Sequence, residues 1–281
     1  MSGKSTIARN SQREGYLLVA PAILFIAVLF ILPIINVLIL SVTEPTVSVS
    51  NYQRIFTVPV YIRVLGITFK NATIVTTICL ILAYPLAYSL VRRGPWVTTL
   101  LLAAVAIPFW TGFLVRTFSW MVIFGSEGPV ANLMRFAGIS RPPQMLFTTF
   151  SALWGMTHIL LPYMTLALYG VMRKIDLQHL KAAESLGARP LQAFWLVFVP
   201  QSFPGIINGS VLVFAMCLGF YVTPVLLGSP SDVMLAQLIG QQVEELLAWG
   251  FASALAMVLM ATTFILLGIY NYFFGISRLW A

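Results

Sequence analysis

The sequence predicts an all-α integral membrane protein with six transmembrane helices, and three observations carry that expectation. Of its 281 residues 59% are hydrophobic and 9% charged, where a soluble domain carries roughly a quarter charged. Charge-free stretches recur at the length of about 20 residues that a helix needs to cross a hydrocarbon core of about 30 Å. Those stretches are apolar on every side rather than alternating, which excludes a transmembrane barrel. An ordinary cytosolic enzyme, a disordered chain and a secreted disulfide scaffold are excluded by the same composition.

The first span is expected at Leu17–Val42. The basic, polar residues before it do not make a secretory signal, because the apolar run is too long and lacks a small-residue cleavage site. Ser2-Gly3-Lys4-Ser5-Thr6 resembles the end of a phosphate-binding loop by coincidence, since the strand and the glycine-rich front half are absent. The second span is Asn71–Val91, and the third is Gly94–Val115, interrupted by Arg116 and continuing apolar to Phe124. The fourth is Pro142–Met172 and the last Leu246–Ser277. Between them, the uncharged stretch Pro190–Ser231 is punctuated by Pro200, Pro204 and Gly205. It reads as a surface-lying amphipathic segment up to Pro200, followed by a fifth span at Ile206–Leu227. Pro21, Pro33, Pro85, Pro108, Pro162 and Pro224 fall inside spans as packing kinks or as hinges of a gate. Cys79 and Cys217 also fall inside spans and read as small apolar fillers.

The net charge of +8 would suggest nucleic acid in a soluble chain; here its distribution reads as topology, with no nucleic-acid partner. With the N-terminus inside, Lys4, Arg9, Arg13, Arg92, Arg93, Arg173, Lys174, Lys181, Arg189 and Arg278 are cytoplasmic. Arg54, Arg63, Lys70, Arg135 and Arg141 fall outside, and Arg116 within the third span. An excess of Lys and Arg marks the cytoplasmic side, so both termini are expected there. The organisation is then residues 1–64 as tail, first span and outer loop, and residues 65–275 as a core whose cytoplasmic loop covers 173–204.

Catalytic constellations are missing from the sequence. The two histidines are His158, in mid-span, and His179, in a loop. No carboxylate falls inside a span, and there is no nucleophile elbow, paired-cysteine motif or ATP-binding motif. The energy for any transport must come from a gradient or a partner, and no cofactor is expected in this chain.

The cytoplasmic loop carries the signal. Leu180-Lys181-Ala182-Ala183-Glu184-Ser185-Leu186 reads as a short helix that Gly187 ends with a left-handed turn. Small residues at Ala182 and Ala183 allow close approach to a partner's groove, and Glu184 offers a charge. Lys181-Ala182-Ala183, three residues, Gly187, nine residues and Val197-Phe198-Val199-Pro200 resemble the EAA signature of bacterial ABC importer permeases. The acid that opens that signature is Lys181 here, with Glu184 as its nearest substitute. Ile107-Pro108-Phe109-Trp110-Thr111, Leu114-Val115-Arg116, Leu160-Leu161-Pro162-Tyr163 and Gly219-Phe220-Tyr221-Val222-Thr223-Pro224 resemble the B-type permeases of spermidine/putrescine importers.

The resemblance implies a type I (MetI-like) ABC importer permease fold in a bacterial inner membrane. It implies a second homologous permease, two ATP-hydrolysing subunits and an extracytoplasmic solute-binding protein as partners. Docking on the ATPase would fall to His179, Lys181, Ala182, Ala183, Glu184, Ser185, Leu186 and Gly187. Phe109, Trp110, Thr111, Arg116, Tyr221 and Thr223 are the pathway candidates. The aromatic ones suit an ammonium chain, through cation–π attraction of about 0.5–2 kcal/mol each; Arg116 repels a polyamine and is expected to anchor Glu127 or a backbone carbonyl. The rival readings are the same machinery importing an opine, an amino-acid derivative or a phosphonate, a stand-alone gradient-driven carrier, and, weakest, an intramembrane enzyme.

Overall fold

The computed structural model describes residues 19–274. Lys4, Arg9, Arg13, Glu14, Arg278 and the outer margins of the first and last expected spans lie outside the described residues. The chain forms α1 (Val19–Thr43), α2 (Ser50–Thr57), α3 (Pro59–Arg92), α4 (Pro95–Trp110), α5 (Phe113–Phe124) and α6 (Pro129–Phe136). It continues through α7 (Thr149–Met172), α8 (Gln178–Ser185), α9 (Pro190–Leu218), α10 (Val222–Leu227), α11 (Leu235–Glu244) and α12 (Trp249–Phe274). Five of these are long and apolar enough to cross a membrane: α1, α3, α7, α9 and the Trp249–Tyr270 part of α12.

The third expected span is broken rather than continuous. The chain from Phe113 onward departs from α4 at 95°. Pro108 lacks an N–H, and its carbonyl accepts both the backbone N–H of Thr111 (3.3 Å) and its hydroxyl (3.0 Å), which closes α4. Gly112 then takes an extended backbone (φ −57°, ψ 142°) and α5 starts in a new direction. The broken unit raises the number of crossings to six if it counts as one span.

The fifth expected span also moves. Pro190–Leu218 is one helix, so the segment before Pro200 is not a separate surface piece, and Val222–Leu227 lies beyond a break at Gly219. Pro200 stays inside because Phe194–Phe198 widens into a π turn in which the N–H of Val199 reaches the carbonyl of Phe194. A wide turn takes up the bond that proline cannot donate and relieves its clash with the preceding turn. The same device recurs in α1, where the π turn Ala27–Ile31 precedes Pro33. The second span begins earlier than its charge-free stretch, at Pro59, because Arg63 and Lys70 are tolerated near the helix end. The fourth begins at Thr149, where Thr148 and Ser151 exchange hydrogen bonds between side chain and backbone.

The core is the packing of α3, α7 and α9. On α3, Ala72, Val75, Cys79, Ala83 and Ala87 form a buried stripe of small side chains about four residues apart. On α7, Met156, Leu160, Met164, Leu168 and Met172 repeat every fourth residue and are fully buried. Small against long is a match of groove to ridge, and it lets the backbones approach. Cys79 and Cys217 are free thiols buried within this cluster, and the Cys79 Sγ lies 3.6 Å from the Thr157 carbonyl. On α9, a Cβ added at Gly209 would stand 2.7 Å from the Met164 sulfur, and one at Gly205 would stand 3.0 Å from Val171 Cβ. Gly155 on α7 makes the same allowance for α10, with Leu227 Cδ1 2.6 Å from the missing Cβ.

A second cluster at the other end joins α2, α3, α11 and α12 through Ile55, Val64, Leu235, Phe251, Ala254 and Leu255. The Arg54 guanidinium lies 4.5 Å from the centre of the Phe251 ring, and Thr68 Oγ1 accepts the backbone N–H of Leu235 at 2.8 Å. Asn51 donates to the carbonyls of Ser41 (3.1 Å) and Glu44 (2.8 Å), tying α2 to the end of α1. α1 packs on α12 and leaves most of its apolar surface exposed.

Gly209→Leu forces a branched side chain against Met164 and is expected to destabilise the purified protein by about 1–3 kcal/mol. SDS titration in mixed micelles measures it, with Gly170→Ala, where no atom lies within 4 Å of the added carbon, expected to leave the midpoint unchanged or slightly raised.

Candidate functional site

At one end of the bundle, α8 stands clear of the core. Asp176 Oδ1 accepts the N–H of Gln178 at 2.8 Å and starts the helix. The N–H of Ala188 reaches the Ala183 carbonyl (3.1 Å) while that of Gly187 reaches Glu184 (3.0 Å), the paired bonds of a Schellman stop. The stop needs a left-handed residue, and Gly187 supplies φ +95°. No residue of α8 is buried: His179, Lys181, Ala182, Glu184 and Ser185 are exposed and Ala183 is half-buried, and Leu186 and Gly187 just beyond it are exposed. Leu186 is 90% exposed, and Leu191, Trp195 and Leu196 extend this apolar surface along α9.

The exposed helix is joined to the spans by few but specific contacts. His179 Nδ1 lies 3.1 Å from Gln201 Oε1 on α9, and Leu177 and Leu180 pack on the core. The π turn seats Phe194 and Phe198 against Tyr88, with ring centres 4.9 and 4.8 Å apart, both edge to face. Tyr84 and Ser202 hydroxyls meet at 2.7 Å. The base of α9 is therefore fixed to α3, and α9 runs without interruption from this junction into the core.

The pathway candidates divide into three places. Phe109, Trp110 and Thr111 sit at the break between α4 and α5; Phe109 packs edge to face on Tyr163 at 4.9 Å and Trp110 is 88% exposed. Tyr221 lies beyond the end of α9, where its hydroxyl donates to Glu244 at 3.2 Å and its ring covers Gly240. Burial first, then that hydrogen bond, raises the Tyr221 phenol above its ordinary value. Thr223 is buried and shares a 3.2 Å hydrogen bond with Thr117 of α5. A cavity of about 240 Å³ lined by Phe113, Gly219, Phe220, Tyr221, Val222 and Thr223 brings the start of α5 to the α9–α10 break.

Arg116 does not anchor Glu127. Arg135 takes that carboxylate with both terminal nitrogens at 2.9 Å, a bidentate fork, because Glu127 and Arg135 flank the turn into α6. Thr117 is a neighbour of the pathway candidates that residue type alone did not single out. His158, the mid-span histidine of the sequence, packs on Trp120 with ring centres 5.4 Å apart, and its Nδ1 makes no hydrogen bond to a neighbouring helix. Among the described residues no cluster of His, Cys, Asp and Glu gathers that could hold a metal ion.

The model of the family described as "Binding-protein-dependent transport system inner membrane component" matches residues 6–274. The spermidine/putrescine transport system permease protein PotB of Haemophilus influenzae is 32% identical over 260 residues, 89% of this chain and 91% of that protein. The Escherichia coli protein of the same description is 31% identical over 231 residues, 82% and 84% of the two chains. The molybdenum transport system permease protein ModB of Mycobacterium bovis is 29% identical over 202 residues, 69% and 75%. A crystal structure of a bacterial alginate ABC transporter in complex with alginate pentasaccharide-bound periplasmic protein contains a chain that superposes with a TM-score of 0.75. That match covers 97% of this chain and 96% of the other at 14% identity, a likeness of fold.

The Thr117–Thr223 bond joins α5 to α10 across the break region, and Thr117→Val and Thr223→Val are expected to be non-additive. A double-mutant cycle on unfolding in micelles should return a coupling of about 0.6 kcal/mol, the usual scale for such bonds between membrane helices; zero coupling would remove this contact from the account.

Proposed function

We propose that this chain, which belongs to the binding-protein-dependent transport inner-membrane component family and is the permease subunit of an ABC importer, passes a polyamine of the spermidine/putrescine class. The observation that carries the substrate is the identity of 31–32% over more than four fifths of the chain to spermidine/putrescine permeases. The protein is a multi-pass component of the bacterial inner membrane and a transport subunit, not an enzyme. Its partners in this reading are a second homologous permease, two ATP-hydrolysing subunits and an extracytoplasmic solute-binding protein. The end bearing α8 faces the cytoplasm, where the basic residues Arg92, Arg93, Arg173, Lys174, Lys181 and Arg189 gather.

In this mechanism α8, with His179, Lys181, Ala182, Glu184 and Ser185 exposed and Leu186 and Gly187 exposed beyond its end, enters a groove on an ATPase subunit. Closure of the ATPases on ATP displaces α8. The displacement passes through His179–Gln201 into α9, one continuous helix from its aromatic junction with Tyr88 to the core, so its far end moves with its base. Rocking of packed helices between two arrangements exposes the pathway to each side in turn. Phe109, Trp110 and Tyr221 offer aromatic faces to an ammonium chain. No carboxylate lines the 240 Å³ cavity, in keeping with a pathway that holds solute weakly and leaves selection to the binding protein.

A second reading keeps the machinery and changes the solute to one bearing a carboxylate or phosphonate. Arg116 favours it, since its buried Nε and the buried Nδ1 of His158 have no hydrogen-bond partner. Competition of labelled spermidine uptake in vesicles containing the full transporter, by unlabelled polyamines and by opines or phosphonates, separates the two.

Gly187→Val places a β-branched residue at φ +95°, a conformation that costs such side chains on the order of 1–3 kcal/mol. The variant is expected to lower both ATPase co-purification and ATP-dependent uptake on the order of tenfold, corresponding to about 1.4 kcal/mol. Unchanged association and uptake would sink the docking assignment.

A further inference from the structure

Two helix breaks meet beyond the end of α9 that lies away from α8. α4 gives way to α5 at Gly112, and α9 gives way to α10 across residues 219–221. The cavity of about 240 Å³ lies between them, with Phe113 on one side and residues 219–223 on the other. No charged side chain lines it. Its side-chain hydroxyls are already engaged, Thr223 with Thr117 at 3.2 Å and Tyr221 with Glu244 at 3.2 Å. Gly219 has no side chain, so what it presents to the cavity is its peptide atoms. Among the described residues, none donates a hydrogen bond to the carbonyl of Gly219 or of Phe220. The N–H of Thr223, four residues on from Gly219, does not turn back to it. Four residues on from Phe220 stands Pro224, which has no N–H to give.

We propose that the break between α9 and α10 is an ammonium-receiving station of the pathway, where the carbonyls of Gly219 and Phe220 accept N–H bonds from one end of a polyamine. An ammonium group carries several N–H donors and no acceptor, so it completes carbonyls that have no donor of their own. A carboxylate or phosphonate, being an acceptor, cannot. Broken membrane helices receive cations in this way, on backbone carbonyls freed where the helix unwinds. The Phe113 and Tyr221 rings at the same cavity offer faces that attract a cation. The exposed carboxylate of Glu244, on the far side of the Tyr221 hydroxyl, adds negative charge at the approach. Two neutral carbonyls hold a cation more loosely than a carboxylate would, which suits a station that must release its solute onward. The inference rests on the polyamine reading and deepens it by naming the groups that meet the ammonium.

The test uses the assembled transporter, both permeases with the ATPases, in nanodiscs. Spermidine affinity is read by saturation-transfer NMR without the binding protein, so that the permeases' own affinity is measured. Placing the α-hydroxy analogue of tyrosine at position 221 turns the link after Phe220 into an ester. The Phe220 carbonyl becomes a weaker acceptor, the side chain at 221 is unchanged, and the N–H removed makes no backbone hydrogen bond. The dissociation constant for spermidine is expected to rise on the order of tenfold, the scale of one hydrogen bond to a charged group. Pro224→Ala supplies an N–H four residues on from the same carbonyl and is expected to weaken binding as well. Wild-type affinity in both variants overturns the proposal. So does displacement of bound spermidine by methylphosphonate as readily as by putrescine, which would show a site indifferent to the ammonium. Failure of the polyamine reading registers separately, in wild type, as absence of spermidine uptake by the complete transporter with its binding protein, and it removes the proposal too. Normal wild-type uptake with unaltered variants removes the proposal alone.

Discussion

Close approach of backbones across small side chains is the constraint on which the structure depends. In lipid, helices gain little from leaving their solvent, so association falls to packing and interhelical hydrogen bonds. The stripe of small residues on α3 and the glycines of α9 meet the methionine and leucine ridge of α7 from two sides. α7 is therefore held at its centre, and α10 is carried with it through Gly155 and the Ser151 hydroxyl that donates to the Leu227 carbonyl at 2.6 Å. Elements outside this triad are attached to it more sparsely or by the cluster at the opposite end, as α1 is through α12.

This arrangement distributes rigidity unevenly. The triad is dense, whereas α8 is bound through His179, Leu177 and Leu180, and the break at Thr111–Gly112 has few internal ties. A permease that changes shape needs such contrast: a stiff element to transmit displacement and weakly attached segments to give way. α9 provides the first, because its single helix includes both the aromatic junction with Tyr88 and the glycines packed on α7.

The spans were legible in the gaps between charges, because lipid forbids unpaired charge and leaves long apolar runs as its imprint. The stop at Gly187 was legible because few residue types adopt that backbone. The 95° bend was not legible, since hydropathy is blind to direction and Phe113–Phe124 is as apolar as a straight continuation would be. The continuity of α9 was hidden by Pro200, read as a break when the wide turn before it had made room. In the site, residue type and motif pointed to Arg116 and Trp110, but the pairing of Glu127 with Arg135 and of Thr117 with Thr223 depends on how α5 turns, which only coordinates reveal.

The π turns of α1 and α9 each hold one residue more than an α-helical turn would, and the surplus is taken up inside that turn. The helix before and the helix after thus keep their facings, although the count along the chain has slipped by one. Loss of one residue between Phe194 and Phe198 would restore an ordinary turn and return Pro200 to a clash with the turn before it. The surplus residue is therefore the room each proline needs, and the apolar repeat of each helix runs in two frames, one on each side of its wide turn.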